Sequence, residues 1–484
     1  MKCIYNKLFP TDSDIVFNND DIRDSINAII KNGVVKCNED TISSSIEAGH
    51  TYLGQMIAHD IVPSRRFNRG SASHYLNLDS LYGDSNNVAY FDKSGRFILG
   101  AIHVKDRIIA DSDLFRNMDG SALIPDIRND ENIIVSQLHL FWQKFHNTIV
   151  DYLQDLLGKG NNLILARYLV TSIFHEIIKY DYLEQILDED VHELYIKSAK
   201  HFSLFYNEEY QYNAVPHEFS HAVFRFGHSM VRKNYTLNSI GGISSENMLS
   251  DRKLLLTEDN IIKWNTFFTM SDYLNSSYHN KNINKNRNKN LEEMKNKGDE
   301  FLVQDANKID SNIELSLKEV PVKGKYFDIR ELNLKAGFSK HILNGKEISK
   351  CLIENNSHKL SEQIQKKLKE GYEQISEMPL WPYILHEAEK IKSKKGLGVV
   401  ASIIVAEVLS SSMNYKNINK DINLLHLIII DIKKNQKKTE YLRLKLNFSN
   451  ELYIKKEFSK IVHMIDKNPI KMGYLINYVN RGKI

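Results

Sequence analysis

The sequence predicts a mainly α-helical fold with little β structure, and two observations carry that reading. Apolar residues recur at three- and four-residue intervals over 135–157, 166–187, 216–230, 348–368 and 398–413, the spacing of one buried helix face. Strand-like alternation is best developed over 96–104 and 438–448, too little to build a core of sheets. At 484 residues, 42% hydrophobic and 26% charged, the chain has the composition of a globular protein with a large interior.

Sixty-four basic residues against 61 acidic ones leave a net charge of +3, so nothing electrostatic calls for nucleic acid or an anionic membrane as partner. Cys3, Cys37 and Cys351 are widely spaced and odd in number, which excludes a disulfide framework and a zinc-type ligand set. The first ten residues hold no signal-peptide-like apolar stretch, and no run approaches the ~18 apolar residues of a membrane span. A reducing, cytoplasmic setting is the expectation. Residues 275–300 are dominated by Asn and Lys and read as an exposed loop. The chain divides into an N-terminal extension (1–44), a main domain (45–412) and a C-terminal tail (413–484) whose alternating apolar and basic residues suggest no chemistry.

Four segments carry candidate chemistry. In Thr51–Asp60, Gln55 and His59 are four apart and share one helix face, while Asp60 points about 100° away. In Asn77–Gly83, preceded by Ser73, side-chain oxygens alternate beside a Gly turn, a pattern able to converge on one hard cation. Asp126–Glu131 sets Arg128 three residues from Glu131 and runs into a helix carrying His139 and the pair His146-Asn147. Phe219–Met230 places Arg225 and His228 three apart on an apolar stretch, with Gly227 giving flat access. Each has a bland reading: a core histidine with a partner, a polar turn, a surface ion pair, a structural histidine.

Taken in order, Gln-x-x-x-His-Asp, L-x-S-L-Y-G, Asp-x-Arg-x-x-Glu and Phe-Arg-Phe-Gly-His resemble the animal haem peroxidase superfamily, which also contains cyclooxygenase-like fatty-acid dioxygenases. The resemblance continues at Arg330–Gly337, Pro379–Ala388 and Gly396–Leu409. It implies a mainly α peroxidase fold with haem between helices, little β structure, and a haem peroxidase that reduces hydrogen peroxide while oxidising an unidentified organic or halide donor. His59 then resembles the distal base, Arg128 the distal arginine and Gln55 the glutamine that bonds water or halide. His228 resembles the proximal iron ligand, and Asn333 the acceptor of its Nδ1–H. Arg225 resembles the propionate partner. Asp60, Ser73, Tyr75 through its carbonyl, Asn77 and Asp79 resemble a calcium site.

Three departures accompany the likeness. Ala58 stands where mammalian relatives carry an ester-forming aspartate. Glu131 occupies the place of the other ester-forming carboxylate, and non-covalent haem b is the expectation. Ala336 replaces a second arginine for the propionates, and Asn77 replaces an aspartate of the calcium loop. Arg225 occupies the position at which the dioxygenases carry a radical-forming tyrosine, which favours the peroxidase. The alternatives are a haem-binding scaffold without turnover and, less favoured, a dioxygenase-like oxygenase.

Overall fold

A computed structural model describes residues 5–9, 19–39, 41–62, 74–83, 88–104, 107–157, 159–198, 202–206, 214–250, 256–270, 303–322, 324–390, 396–413 and 471–480. Helices dominate. They include α1 (Asn19–Lys31), α2 (Gly49–Ile61), α3 (Asp79–Tyr82), α4 (Ile133–Leu157), α5 (Leu163–Ile177), α6 (His217–His221), α7 (Ile329–Phe338), α8 (Gly345–Asn356), α9 (Glu362–Gln374), α10 (Leu380–Lys390), α11 (Val399–Met413) and α12 (Met472–Asn480).

Strands among the described residues form six two-stranded ladders. The expected strand within 96–104 appears as Leu99–Val104, paired antiparallel with Arg107–Leu114. Its companion at 438–448 lies outside the described residues, as do the Asn/Lys-rich 275–300 and Ser73.

The longest helix, α4, packs against α2 and α5. Trp142 on α4 is fully buried and meets Phe145 and Phe174 edge to face, a favoured aromatic geometry. All fifteen residues of α11 are buried, so its apolar character runs round the whole circumference. One apolar cluster takes Ile26 and Val35 from the 1–44 segment, and Met472, Leu475 and Ile476 from beyond 413, into the same core.

Two periodic stretches divide where the sequence reads as continuous. Over 348–368 the helices α8 and α9 are separate, and each start carries its own side-chain cap, Asn344 with Glu347 and Ser361, satisfying N–H groups that have no intrahelical partner. Over 216–230 α6 ends at His221, and Ala222 adopts φ −136°, ψ −74°, outside helical space. The chain then continues as a 3₁₀ helix, Val223–Met230. A 3₁₀ helix has three residues per turn, so residues i and i+3 eclipse. Arg225 and His228 are thereby set above one another.

Because Trp142 fills the junction of α4 and α5, Trp142→Ala should destabilise the fold by about 3–5 kcal/mol. Thermal or urea unfolding would show it, and an unchanged midpoint would contradict this account of the core.

Candidate active site

Helix α2 carries the first half of the site. Its N-cap, Ala48, offers no side-chain hydrogen bond, and tertiary contacts hold the helix instead. At the start, buried His50 Nε2 lies 3.2 Å from Asp181 Oδ1, and Asp181 Oδ2 accepts the N–H of Met472 at 2.7 Å. At the end, Asp60 accepts the N–H of Leu78 at 3.0 Å and of Ser80 at 2.9 Å. Within this otherwise buried helix Gln55 and Ala58 keep part of their surface accessible, as does Val62 just beyond it. Spacings of three and four make these one stripe.

His59 is buried, with Nδ1 2.8 Å from Asn129 Oδ1, and no described residue pairs with its Nε2. Asn129, fully buried, places its Nδ2 2.9 Å from His139 Nδ1. An amide oxygen only accepts, so His59 carries its proton on Nδ1 and presents Nε2 as a base. Burial, then the nearby Arg128 charge, lowers the His59 pKa to about 4. Burial likewise lowers His139 to about 3 and His146 to about 4.

Arg128 does not pair with Glu131 in the way its spacing allowed. Its Nε and Nη2 grip Asp126, at 3.0 and 2.5 Å, and Nη2 also donates to the His59 carbonyl at 2.7 Å. Asp126 caps the short 3₁₀ turn Ile127–Asp130, which explains the switch: the carboxylate two residues back is already fixed beside the guanidinium. Gln55 Oε1 accepts from Asn132 Nδ2 at 3.2 Å. Asn129, Asn132, Asp126 and His139 complete the cluster. All four lie in or next to the segment singled out from the sequence, but their roles depend on a neighbour, α2, that the segment does not contain.

The second half sits on the 3₁₀ helix and α7. Phe224, Arg225, Gly227 and His228 are partly accessible between buried neighbours, and a Cβ added to Gly227 would meet no atom within 4 Å. Asn333, fully buried on α7, has Nδ2 3.0 Å from His228 Nδ1, while its Oδ1 accepts from Arg225 Nη1 at 2.9 Å. The contact matches the expected pairing, but the amide is reversed: the guanidinium has only donors and takes the carbonyl oxygen. No described residue pairs with His228 Nε2. Burial, then Arg225, lowers the His228 pKa to about 3. A neutral imidazole with an unengaged Nε2, open space over the adjacent glycine and a guanidinium within reach fit haem.

Those residues of the calcium expectation that the structure describes do not fit that ion. Both oxygens of Asp60 are engaged by N–H groups, and Asp79 is paired with Arg167 at 2.9 Å. Burial, then the charge of Asp79, raises the Asp60 pKa to about 7. Among the described residues no group of three or more His, Cys, Asp or Glu is arranged to hold a metal ion. No helix among them is long and apolar enough to cross a membrane.

The sequence profile of the animal haem peroxidases matches residues 58–313. Peroxidase A from Dictyostelium discoideum superposes with a TM-score of 0.55 at 14% identity, over 84% of this chain and 86% of its own. The fatty acid alpha-dioxygenase of Arabidopsis thaliana gives 0.57 at 13% identity, over 96% and 76%. That of Oryza sativa gives 0.56 at 11%, over 95% and 79%. At such identities the likeness establishes the fold, which is the mainly α fold expected. No curated protein matches the chain by sequence.

The depressed histidines give stability a defined pH dependence. The unfolded chain takes up their protons below the ordinary value near 6.5, whereas folded His59, His139 and His146 do so only near pH 3–4. Stability is therefore fully present above pH 6.5 and declines on acidification towards pH 4, each histidine adding a slope of about 1.4 kcal/mol per pH unit. Urea unfolding at pH 7, 6 and 5 should show the decline, and a flat profile would refute the assignment.

Proposed function

Because the chain belongs to the animal haem peroxidase family, we propose that it is a haem-dependent peroxidase that reduces hydrogen peroxide while oxidising an organic or halide donor. One observation carries this reading. Two imidazoles, His59 and His228, are each fixed through Nδ1 by a buried asparagine amide, and each is left with Nε2 unengaged. His59 can then serve as base, and His228 as ligand once the Asn333 amide turns its oxygen to Nδ1.

Haem, when bound, supplies the iron and the redox chemistry of O–O cleavage. His228 Nε2 would hold the iron, with Gly227 leaving room for the macrocycle. A ligating Nε2 requires the proton on Nδ1, and the Asn333 carbonyl accepts it only once Arg225 has another acceptor. A propionate is such an acceptor, and its charge suits a guanidinium. His59 Nε2 would take the proton of incoming peroxide. Its depressed pKa keeps it neutral through the physiological range, and the Asn129–His139 pair prevents the ring from presenting the wrong nitrogen. Arg128, held by Asp126 and the His59 carbonyl, places a fixed positive charge beside that base, where negative charge grows on the departing oxygen. Gln55, tethered to Asn132, orients water or a halide. Arg225, three residues before His228, stands where a radical-forming tyrosine would favour a dioxygenase.

Variants separate these roles. His59→Ala and Arg128→Ala should retain haem yet react with peroxide roughly 10²–10³-fold more slowly, followed by stopped-flow absorbance. Asn129→Leu should give a smaller loss in the same direction. His228→Ala should lose the Soret band of imidazole-ligated haem. A parental rate in His59→Ala would exclude it as the base, and an unchanged spectrum in His228→Ala would exclude it as the ligand.

With Ala58 unable to form an ester, haem is held without a covalent bond in this reading. Acidified organic solvent should extract nearly all of it, leaving a polypeptide of unmodified mass by mass spectrometry. A chain heavier by one haem, mapped to Glu131, would overturn this.

A further inference from the structure

The loop read as a calcium site is tied instead by groups of the protein. From α5, Arg167 Nη2 donates to the Asn77 carbonyl at 3.2 Å and to Asp79 Oδ1 at 2.9 Å. The guanidinium also lies 4.9 Å from the centroid of the Tyr82 ring, within cation–π range. Two turns along the same helix, His175 Nε2 bonds the Leu76 carbonyl. On the opposite side the two oxygens of Asp60 are occupied by the N–H groups of Leu78 and Ser80. The geometry these bonds enforce is specific: Leu78 sits in the left-handed region at φ +58°, which a leucine adopts only where its surroundings impose it.

Calcium collects six to eight oxygens around one centre. Here Asp79 and the Asn77 carbonyl turn to a guanidinium and the carboxylate of Asp60 to backbone N–H groups, so these donors serve two different partners. The charges agree with that arrangement. Asn77 is neutral, leaving two carboxylates, Asp60 and Asp79; the first is held by N–H groups and the second by Arg167. With Arg167 offsetting Asp79, only the charge of Asp60 is left, and a divalent ion would carry one positive charge more than that.

We propose that Arg167 is the resident cation of this loop, taking the place of a calcium ion, so that the helix carrying the distal histidine is positioned without a metal. Asp60 follows His59 directly, and the Arg167–Asp79–loop–Asp60 chain of contacts links α5 to the end of α2. The protein would then fold and work without calcium. The inference does not depend on haem, and its failure would leave the peroxidase reading standing.

The test is thermal unfolding of the full chain, haem-free and haem-loaded, with excess chelator or with millimolar calcium chloride, together with metal analysis after dialysis. The melting temperature of the parent should be the same in both solutions, within about 1 °C, and calcium well below one equivalent. Arg167→Gln should melt roughly 2–5 °C lower, since it strands a mostly buried carboxylate, and Arg167→Lys should fall between the two. A parent that melts lower in chelator, or that retains one equivalent of calcium, overturns the proposal. So does an Arg167→Gln variant as stable as the parent. Should that variant fail to fold, the chelator comparison on the parent still decides.

Discussion

Burying a carboxylate is costly unless hydrogen bonds replace its water, and this chain meets that constraint in one recurring way. Asp60 accepts the N–H groups of Leu78 and Ser80, Glu218 those of Leu8 and Phe9, and Glu407 those of Leu204 and Phe205. Glu387 accepts that of Val400, and Asp181 that of Met472. In each case one acidic side chain captures the backbone of another segment, in most of them one far along the chain. The alternative, an unpaired charge in the interior, is worse by several kcal/mol, so these contacts fix where the segments lie. Two of them hold α2, one at each end, and Glu218 pins the N-terminal segment beside the 3₁₀ helix. Helix α2 is thus anchored by carboxylates rather than by local capping, whereas Asp126 and Asp328 cap the elements that carry Asn129 and Asn333.

Within that frame each of the two histidines is met at Nδ1 by an asparagine amide, through its oxygen at His59 and its nitrogen at His228. An asparagine amide is neutral and offers both a donor and an acceptor, so it orients an imidazole without adding charge. A carboxylate in the same place would raise the histidine pKa and spoil a base that must stay neutral. Asn129 uses its second valence on His139 and Asn333 uses its own on Arg225. The Asn129 amide is therefore held between two rings, whereas that of Asn333 is shared with a guanidinium. Under the proposed function, that asymmetry would suit a permanent base at His59 and a ligand at His228 that completes itself on binding.

The break at Ala222 has a similar consequence. A continuous α-helix over 216–230 would place Arg225 and His228 about 60° apart around its axis. The 3₁₀ winding eclipses them, and Asn333 reaches both. A change of helix type that a periodicity argument cannot resolve is what allows three side chains to share one network.

The candidate site residues His59, Gln55, Arg128, Arg225, His228 and Asn333 could be picked out from short motifs in the sequence, and the helical period of 133–157 and 399–413 follows from one-dimensional spacing. Tertiary structure decided what those residues bond to. Asp126 rather than Glu131 takes Arg128, because a capping turn puts it there first. Arg167, 90 residues along the chain from Asn77, reaches the loop read as a calcium site. Asn129 becomes an orienting residue only because α4 and α2 pack together. Sequence spacing fixes which side chains share a face of one element, but hydrogen-bond partners between elements depend on how those elements pack, and no local pattern encodes that.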